Sequence, residues 1–162
     1  MWIPAKETEA IKFLLDLFPT VSPEPFEIAR IEAGVPRFGQ DCDAKTFPPE
    51  LGSAFESRYI SYNKGCYTGQ EVLMRLHSRG HTNRTWVGLV SESPLEVGAV
   101  LTHPNRKDAG LVTSAAFSPD YGFIGAAMVR NEIAQPRESV MFETSAGSFE
   151  AQIRPMPILR FD

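Results

Sequence analysis

Cysteine is scarce: the 162 residues contain Cys42 and Cys66 and no CxxC pair. Neither a disulfide framework nor a closed four-ligand metal site is supported, which leaves a single Cys42–Cys66 disulfide as the one pairing the count allows. Histidine is also scarce, with three residues, and only His77 and His81 lie close together in sequence. Their HSRGH context lacks the glutamate of a zinc-protease helix, and Gly80 interrupts the helical spacing, so no metal site is expected. Walker A and GxGxxG loops are absent, which removes nucleotide binding by those routes. No apolar run approaches the ~20 residues of a membrane span, and the opening MWIPAKETEA has no signal-peptide pattern. No membrane partner is expected, and a cytoplasmic location is. Net positive charge is missing too: the formal charge is −4, the opposite of a non-specific nucleic-acid footprint, so no direct nucleic-acid contact is expected.

What remains is the composition of a folded globular protein, 43% apolar and 22% charged. Its charge is uneven. Between positions 64 and 84 lie Lys64, Arg75, Arg79 and Arg84 with Glu71 as the lone acid, a local positive island suited to an anionic small molecule.

The apolar spacing of Ile11, Leu14, Leu15 and Phe18, with Thr8 as cap and Pro19 as stop, predicts an amphipathic helix over 8–18. A second short helix is expected over 26–33, opened by Ser22-Pro23-Glu24 and closed by Gly34. Residues 35–63 hold Pro36, Pro48 and Pro49 among glycines and aspartates, and read as an irregular connection. A third helix is expected over 69–79, with Val72, Leu73 and Leu76 as its apolar stripe and Gly80 as its end. Six β-rich runs follow, at 85–90, 99–101, 111–117, 123–129, 139–142 and 149–153. Their even spacing and turn signals predict a small antiparallel barrel or sandwich, with the boundary near Thr82-Asn83.

One segment concentrates chemistry, Lys64–Glu71 (KGCYTGQE). Gly65 and Gly69 let the backbone turn on both sides of Cys66-Tyr67-Thr68, and the second leads into a helix whose exposed N–H groups favour an anion or an electron-rich edge. Lys64 adds charge beside it. Lys64 and the helix start together favour a thiolate at Cys66, against the plainer alternative of a small packed residue. Tyr67 and Gln70 read as loop and helix-start structure.

Arg30–Gly34 (RIEAG) with Val35-Pro36, then Pro49-Glu50, then KGCYTGQEVLMR and Arg79-Gly80 resemble the ordered motifs of YgfZ-type folate-binding proteins, relatives of the glycine-cleavage aminomethyltransferases. The resemblance covers most of 29–86 and corresponds to the carboxyl-terminal half of such proteins. It implies an α+β fold, with a partial aminomethyltransferase-like folate-binding domain over 1–82 and a small antiparallel β-barrel over 83–162. It also implies tetrahydrofolate as cofactor, held in a cavity between domains, and a role in assembly or repair of iron–sulfur enzymes, the cluster belonging to the client protein. Glu32 falls where aminomethyltransferases place the glutamate that binds the pterin ring, and a carboxylate suits an aminopyrimidine edge. Lys64 falls near a folate-contacting arginine, and Cys66 is the candidate catalytic thiol. Much of the family's pocket comes from an amino-terminal half, so a second chain completing the pocket is an expected partner, and an exposed apolar face on the 8–18 helix would favour association.

Three functions stay open from the residues. The first is a folate-binding accessory protein of iron–sulfur metabolism. The second is a true aminomethyltransferase, against which the cysteine in KGCYTGQE counts. The third is a non-catalytic interaction module.

Overall fold

The computed structural model describes residues 12–13, 16–18, 22–79 and 82–158. The helix expected over 8–18 falls largely outside them. Of that segment, Phe13, Leu17 and Phe18 are exposed, and the Asp16 N–H bonds the Lys12 carbonyl at 2.9 Å.

Helix α1 (Glu24–Glu32) carries Glu24 and Glu27 in its first turn, where carboxylates meet the positive end of the helix dipole. Gly34, at φ +66, ends it: the Val35 N–H reaches the Arg30 carbonyl at 2.9 Å and the Gly34 N–H reaches Ile31 at 3.1 Å. These bonds satisfy carbonyls that would otherwise lack partners, and only glycine adopts that backbone conformation at no steric cost. The connection over 35–63 is less irregular than the sequence implies. It contains a 3-10 turn (Pro48–Leu51) and helix α2 (Ser53–Tyr59). The turn is fixed by Glu50, whose Oε2 accepts the Phe47 N–H at 2.9 Å. Helix α3 (Gln70–Arg79) lies where expected.

The six strands are β1 (Arg84–Ser91), β2 (Val100–His103), β3 (Arg106–Ser118), β4 (Gly122–Arg130), β5 (Ser139–Thr144) and β6 (Gly147–Arg154). They close a barrel in the order β1-β4-β3-β2-β5-β6, every neighbouring pair antiparallel. Val87, Leu89, Leu101, Val112, Ala127, Val129, Val140, Phe142 and Ile153 fill its interior. Closure leaves no open sheet edge.

Strand burial shows where the rest of the chain sits. In β5 buried and exposed residues alternate, as they do when one face meets solvent. In β1 and β4 four consecutive residues are buried, Trp86–Leu89 and Ile124–Ala127, so both faces are covered. The outer cover comes from the segment before the barrel and from the residues after β6. Ile31 of α1 packs on Ile124 and Ile158, and Leu51 of the 3-10 turn packs on Trp86 and Ala126. Each such fully buried aliphatic side chain contributes roughly 1.5–3 kcal/mol. No helix among the described residues is long and apolar enough to cross a membrane.

Candidate functional site

Arg30 and Glu32 stand two residues apart on α1 and do different things. Arg30 and Asp41 are buried, and Arg30 Nη1 donates to Asp41 Oδ2 at 2.7 Å. The same oxygen accepts the Arg37 N–H at 2.9 Å. Asp41 Oδ1 accepts the hydroxyls of Thr113 and Ser114, each at 2.6 Å. Ser114 Oγ in turn accepts Arg30 Nη2 at 2.8 Å and Gln40 Nε2 at 3.0 Å, and Trp86 Nε1 donates to Thr113 Oγ1 at 3.3 Å. Each buried charge thus has a partner and filled hydrogen-bond positions, the condition under which burial is tolerated. Burial alone lowers the pKa of Arg30, but Glu27 and Asp41 outweigh it and the net shift is upward. Glu27 Oε1 lacks a well-angled hydrogen bond, yet it forms an ion pair with Arg37, so it is not an unpaired charge. This cluster fastens the preceding segment to β1 and β3. Glu50 supplies a second fastening: it is buried and its Oε1 accepts Arg84 Nε at 2.9 Å, at the start of the barrel.

Glu32 is half-buried at the carboxyl end of α1. Its Oε1 accepts the hydroxyl of Ser118, the last residue of β3, at 2.5 Å, and its backbone carbonyl accepts the Ile158 N–H at 2.9 Å. The expected pterin-binding carboxylate therefore stands at the seam between α1 and the barrel, beside the β3–β4 turn.

Lys64 and Cys66 lie elsewhere. Both are exposed. The Lys64 ammonium sits 4.6 Å from the Tyr67 ring centroid, a favourable cation–π distance. Tyr67 donates to the Ser61 carbonyl at 3.0 Å, and Gln70 Nε2 reaches the Lys64 carbonyl at 3.4 Å, so both residues have the loop and helix-start roles read from the sequence. Gly69, at φ +87, opens α3, and the Leu73 N–H bonds its carbonyl at 3.2 Å. Among the described residues, no hydrogen bond, ion pair or ring contact joins Glu32 to Lys64 or Cys66.

Beside the loop, Glu56 Oε1 accepts the Tyr62 hydroxyl and lies 3.3 Å from His77 Nδ1. The Tyr62 and His77 rings stack at 4.1 Å. Burial first, and then the Glu56 carboxylate, push the Tyr62 phenol well above its ordinary pKa, which keeps it a donor. Both cysteines are free thiols. Burial, then Asp41 and Asp43, push the half-buried Cys42 thiol up, so it stays protonated. No group of histidine, cysteine or carboxylate side chains suited to a metal ion occurs among the described residues. The positive island is partly neutralised, since Arg84 pairs with Glu50 and Arg75 with Glu71.

Sequence reasoning missed Asp41 and Ser118. An aspartate in a glycine-rich connection reads as a turn residue, and a serine at a strand end reads as the start of a turn, while the contacts that join each across the seam, Asp41 to Thr113 and Ser114 and Ser118 to Glu32, lie far off in sequence. Two surface grooves, of about 990 and 400 Å³, are lined without Glu32, Lys64 or Cys66. The larger is open and lies on the barrel, so we place the candidate site by its chemistry, at Glu32.

Residues 84–159 match the family described as the glycine cleavage T-protein C-terminal barrel domain. The chain is 33% identical to the tRNA-modifying protein YgfZ of Klebsiella pneumoniae, over 78% of this chain and 39% of that protein. It is 29% identical to the protein of the same name from Sodalis glossinidius, over 79% of this chain and 40% of that one. An aminomethyltransferase from Staphylococcus epidermidis is 30% identical over 76% of this chain and 34% of its own length. The chain thus spans about two-fifths of the length of the curated relatives it matches. The structure of aminomethyltransferase T of the glycine cleavage system from Bartonella henselae superposes with a TM-score of 0.78 at 22% identity, over 94% of this chain and 43% of that one. That likeness establishes the fold.

Proposed function

Because the chain belongs to the YgfZ and glycine cleavage T-protein superfamily, carrying the carboxyl-terminal barrel of that fold, we propose that it is a tetrahydrofolate-binding accessory protein that supports iron–sulfur cluster assembly or repair. The observation that carries the folate reading is the half-buried Glu32 carboxylate held against the barrel by Ser118. A carboxylate so fixed accepts two parallel N–H bonds from an aminopyrimidine edge, the charge-assisted pattern that favours the ionised acid. Lys64 offers a cation to the anionic glutamate tail of the cofactor. Its ammonium rests on Tyr67 in an exposed loop, so it meets that tail without first breaking a buried ion pair. The chemistry of Glu32 and Lys64 fits the two ends of a folate. We assign residues 1–82 to a partial folate-binding domain and 83–162 to the barrel, with a second chain as the partner that completes the pocket. The iron–sulfur role rests on the resemblance of KGCYTGQE to YgfZ-type proteins, with Cys66 exposed in that loop as the thiol that acts on or near the client.

A second reading, aminomethyl transfer to folate, is favoured by the Staphylococcus epidermidis relative. It needs the same Glu32 and makes Cys66 dispensable. Cys66→Ser separates the two. The accessory reading expects tetrahydrofolate binding to survive while complementation of an iron–sulfur defect is lost. The transferase reading expects turnover on an aminomethylated carrier protein regardless of Cys66.

A further inference from the structure

We propose that Ser118 is the positioning residue of the Glu32 carboxylate, and that the β3–β4 turn of the barrel is therefore one wall of the ligand site. The inference rests on Glu32 as the folate-binding carboxylate.

A serine hydroxyl has one proton and two acceptor positions. At Ser118, which is fully buried, the backbone N–H groups of Asp120 and Tyr121 approach Oγ at 3.1 and 3.2 Å. They take both acceptor positions and hold the turn. The single proton is left for Glu32 Oε1, 2.5 Å away and 86 residues earlier in the chain. A hydroxyl free to rotate would choose among partners; this one has its direction set by two backbone donors. Glu32 is thereby required as an acceptor, and its carboxylate plane is fixed from the barrel side. The helix end is fixed independently, by the Ile158 N–H on the Glu32 carbonyl at 2.9 Å and by Ile31 buried against Ile124 and Ile158. After Ser118 is served, Oε2 and the second lone pair of Oε1 remain to accept a pair of parallel N–H donors, which is the demand of an aminopyrimidine edge. Preorganisation of this kind raises affinity by sparing the ligand the ordering of a side chain.

The opposing view is that Ser118 merely caps its turn. Then its loss would weaken the barrel and leave Glu32 alone. NMR side-chain couplings and proton–proton contacts on the whole chain decide between them. In the wild type, Glu32 is expected in one rotamer in contact with the Ser118 methylene. In Ser118→Ala it averages among rotamers, and in Ser118→Cys, with its weak donor, it falls between. Calorimetric titration with tetrahydrofolate should show Ser118→Ala weakening binding about tenfold, the loss of one charge-assisted hydrogen bond. The double variant with Glu32→Ala should bind no more weakly than Glu32→Ala alone. A single Glu32 rotamer in folded Ser118→Ala, or independent additive losses, overturns the proposal. If neither Ser118 variant folds, rotamer averaging of Glu32 in the wild type overturns it and a single rotamer in contact with Ser118 supports it. In a wild type that binds no tetrahydrofolate on its own, the couplings alone decide whether Ser118 positions Glu32.

Discussion

Arg30 and Lys64 are both cations within motifs that carry the resemblance to YgfZ-type proteins, and the fold treats them in opposite ways. Arg30 is buried among Asp41, Glu27, Ser114 and the Val35 carbonyl, with a hydrogen bond to each. Lys64 is exposed over one aromatic ring in a loop whose hydrogen bonds stay within the loop and the start of α3. The difference separates motif residues that hold the molecule together from those left available to a ligand or a partner. The Arg30 motif and Glu50 build the seam between the leading segment and the barrel; Lys64–Glu71 is presented outward. Glu32 lies where the two kinds meet, anchored by the barrel yet half-exposed.

Asp41→Ala should produce the largest effect, because it removes the acceptor of four donors at once, three of them in buried hydrogen bonds. Leaving a buried guanidinium short of its partner costs about 3–5 kcal/mol. Urea unfolding followed by circular dichroism is expected to show that loss; a midpoint within error of wild type would break the distinction between the two motifs.

The two motif glycines sharpen it. Gly34 and Gly69 both have positive φ, +66 and +87. A side chain at Gly34 would also meet Met156 Cβ at 3.1 Å and Pro157 Cα at 3.2 Å, whereas Gly69 faces open space. Alanine at Gly69 is expected to cost only the backbone term, about 1–2 kcal/mol, and alanine at Gly34 more than that. Equal losses in thermal melts would mean that the Gly34 seam is looser than described.

How much of this was legible in sequence follows the same divide. The helices near 26–33 and 69–79 and the six strands carry their own periodicity and end signals, so they were read with small errors at the ends. β3 runs longer than expected, Arg106–Ser118, because its charged start pairs with β2 at the exposed rim of the closed barrel, where apolar alternation gives no signal. Helix α2 (Ser53–Tyr59) and the 3-10 turn before it went unread, being short, without an apolar stripe and flanked by proline and glycine. At the site, Glu32, Lys64 and Cys66 were named through the motif alone. The barrel partners of Glu32 and Arg30, Ser118 and Ser114, sit 86 and 84 residues away, and no local pattern encodes a contact at that range.

Lys64→Ala and Cys66→Ser are exposed substitutions and are expected to change stability by less than about 0.5 kcal/mol. Lys64→Ala should nevertheless weaken tetrahydrofolate binding. A large stability loss from either would move the loop into the structural class.

The smallest effect concerns pH. Asp108 is held below the usual carboxylate range by hydrogen bonds from Arg106 and then Arg130. A carboxyl with a folded pKa below its unfolded value contributes stability that is present above the unfolded value and is lost as pH falls through the folded one. That window lies below about pH 4. The trio is exposed, so the contribution is small and screened by salt. Asp108→Asn should flatten only the acid limb of a melting-temperature profile, and raised salt should do the same to the wild type.

The most direct test of the folate reading is calorimetric titration of the chain with tetrahydrofolate, alone and as Glu32→Ala. Saturable binding that Glu32→Ala weakens by an order of magnitude or more is the predicted result. Binding indifferent to Glu32 would contradict a folate site built at the seam of α1 and the barrel.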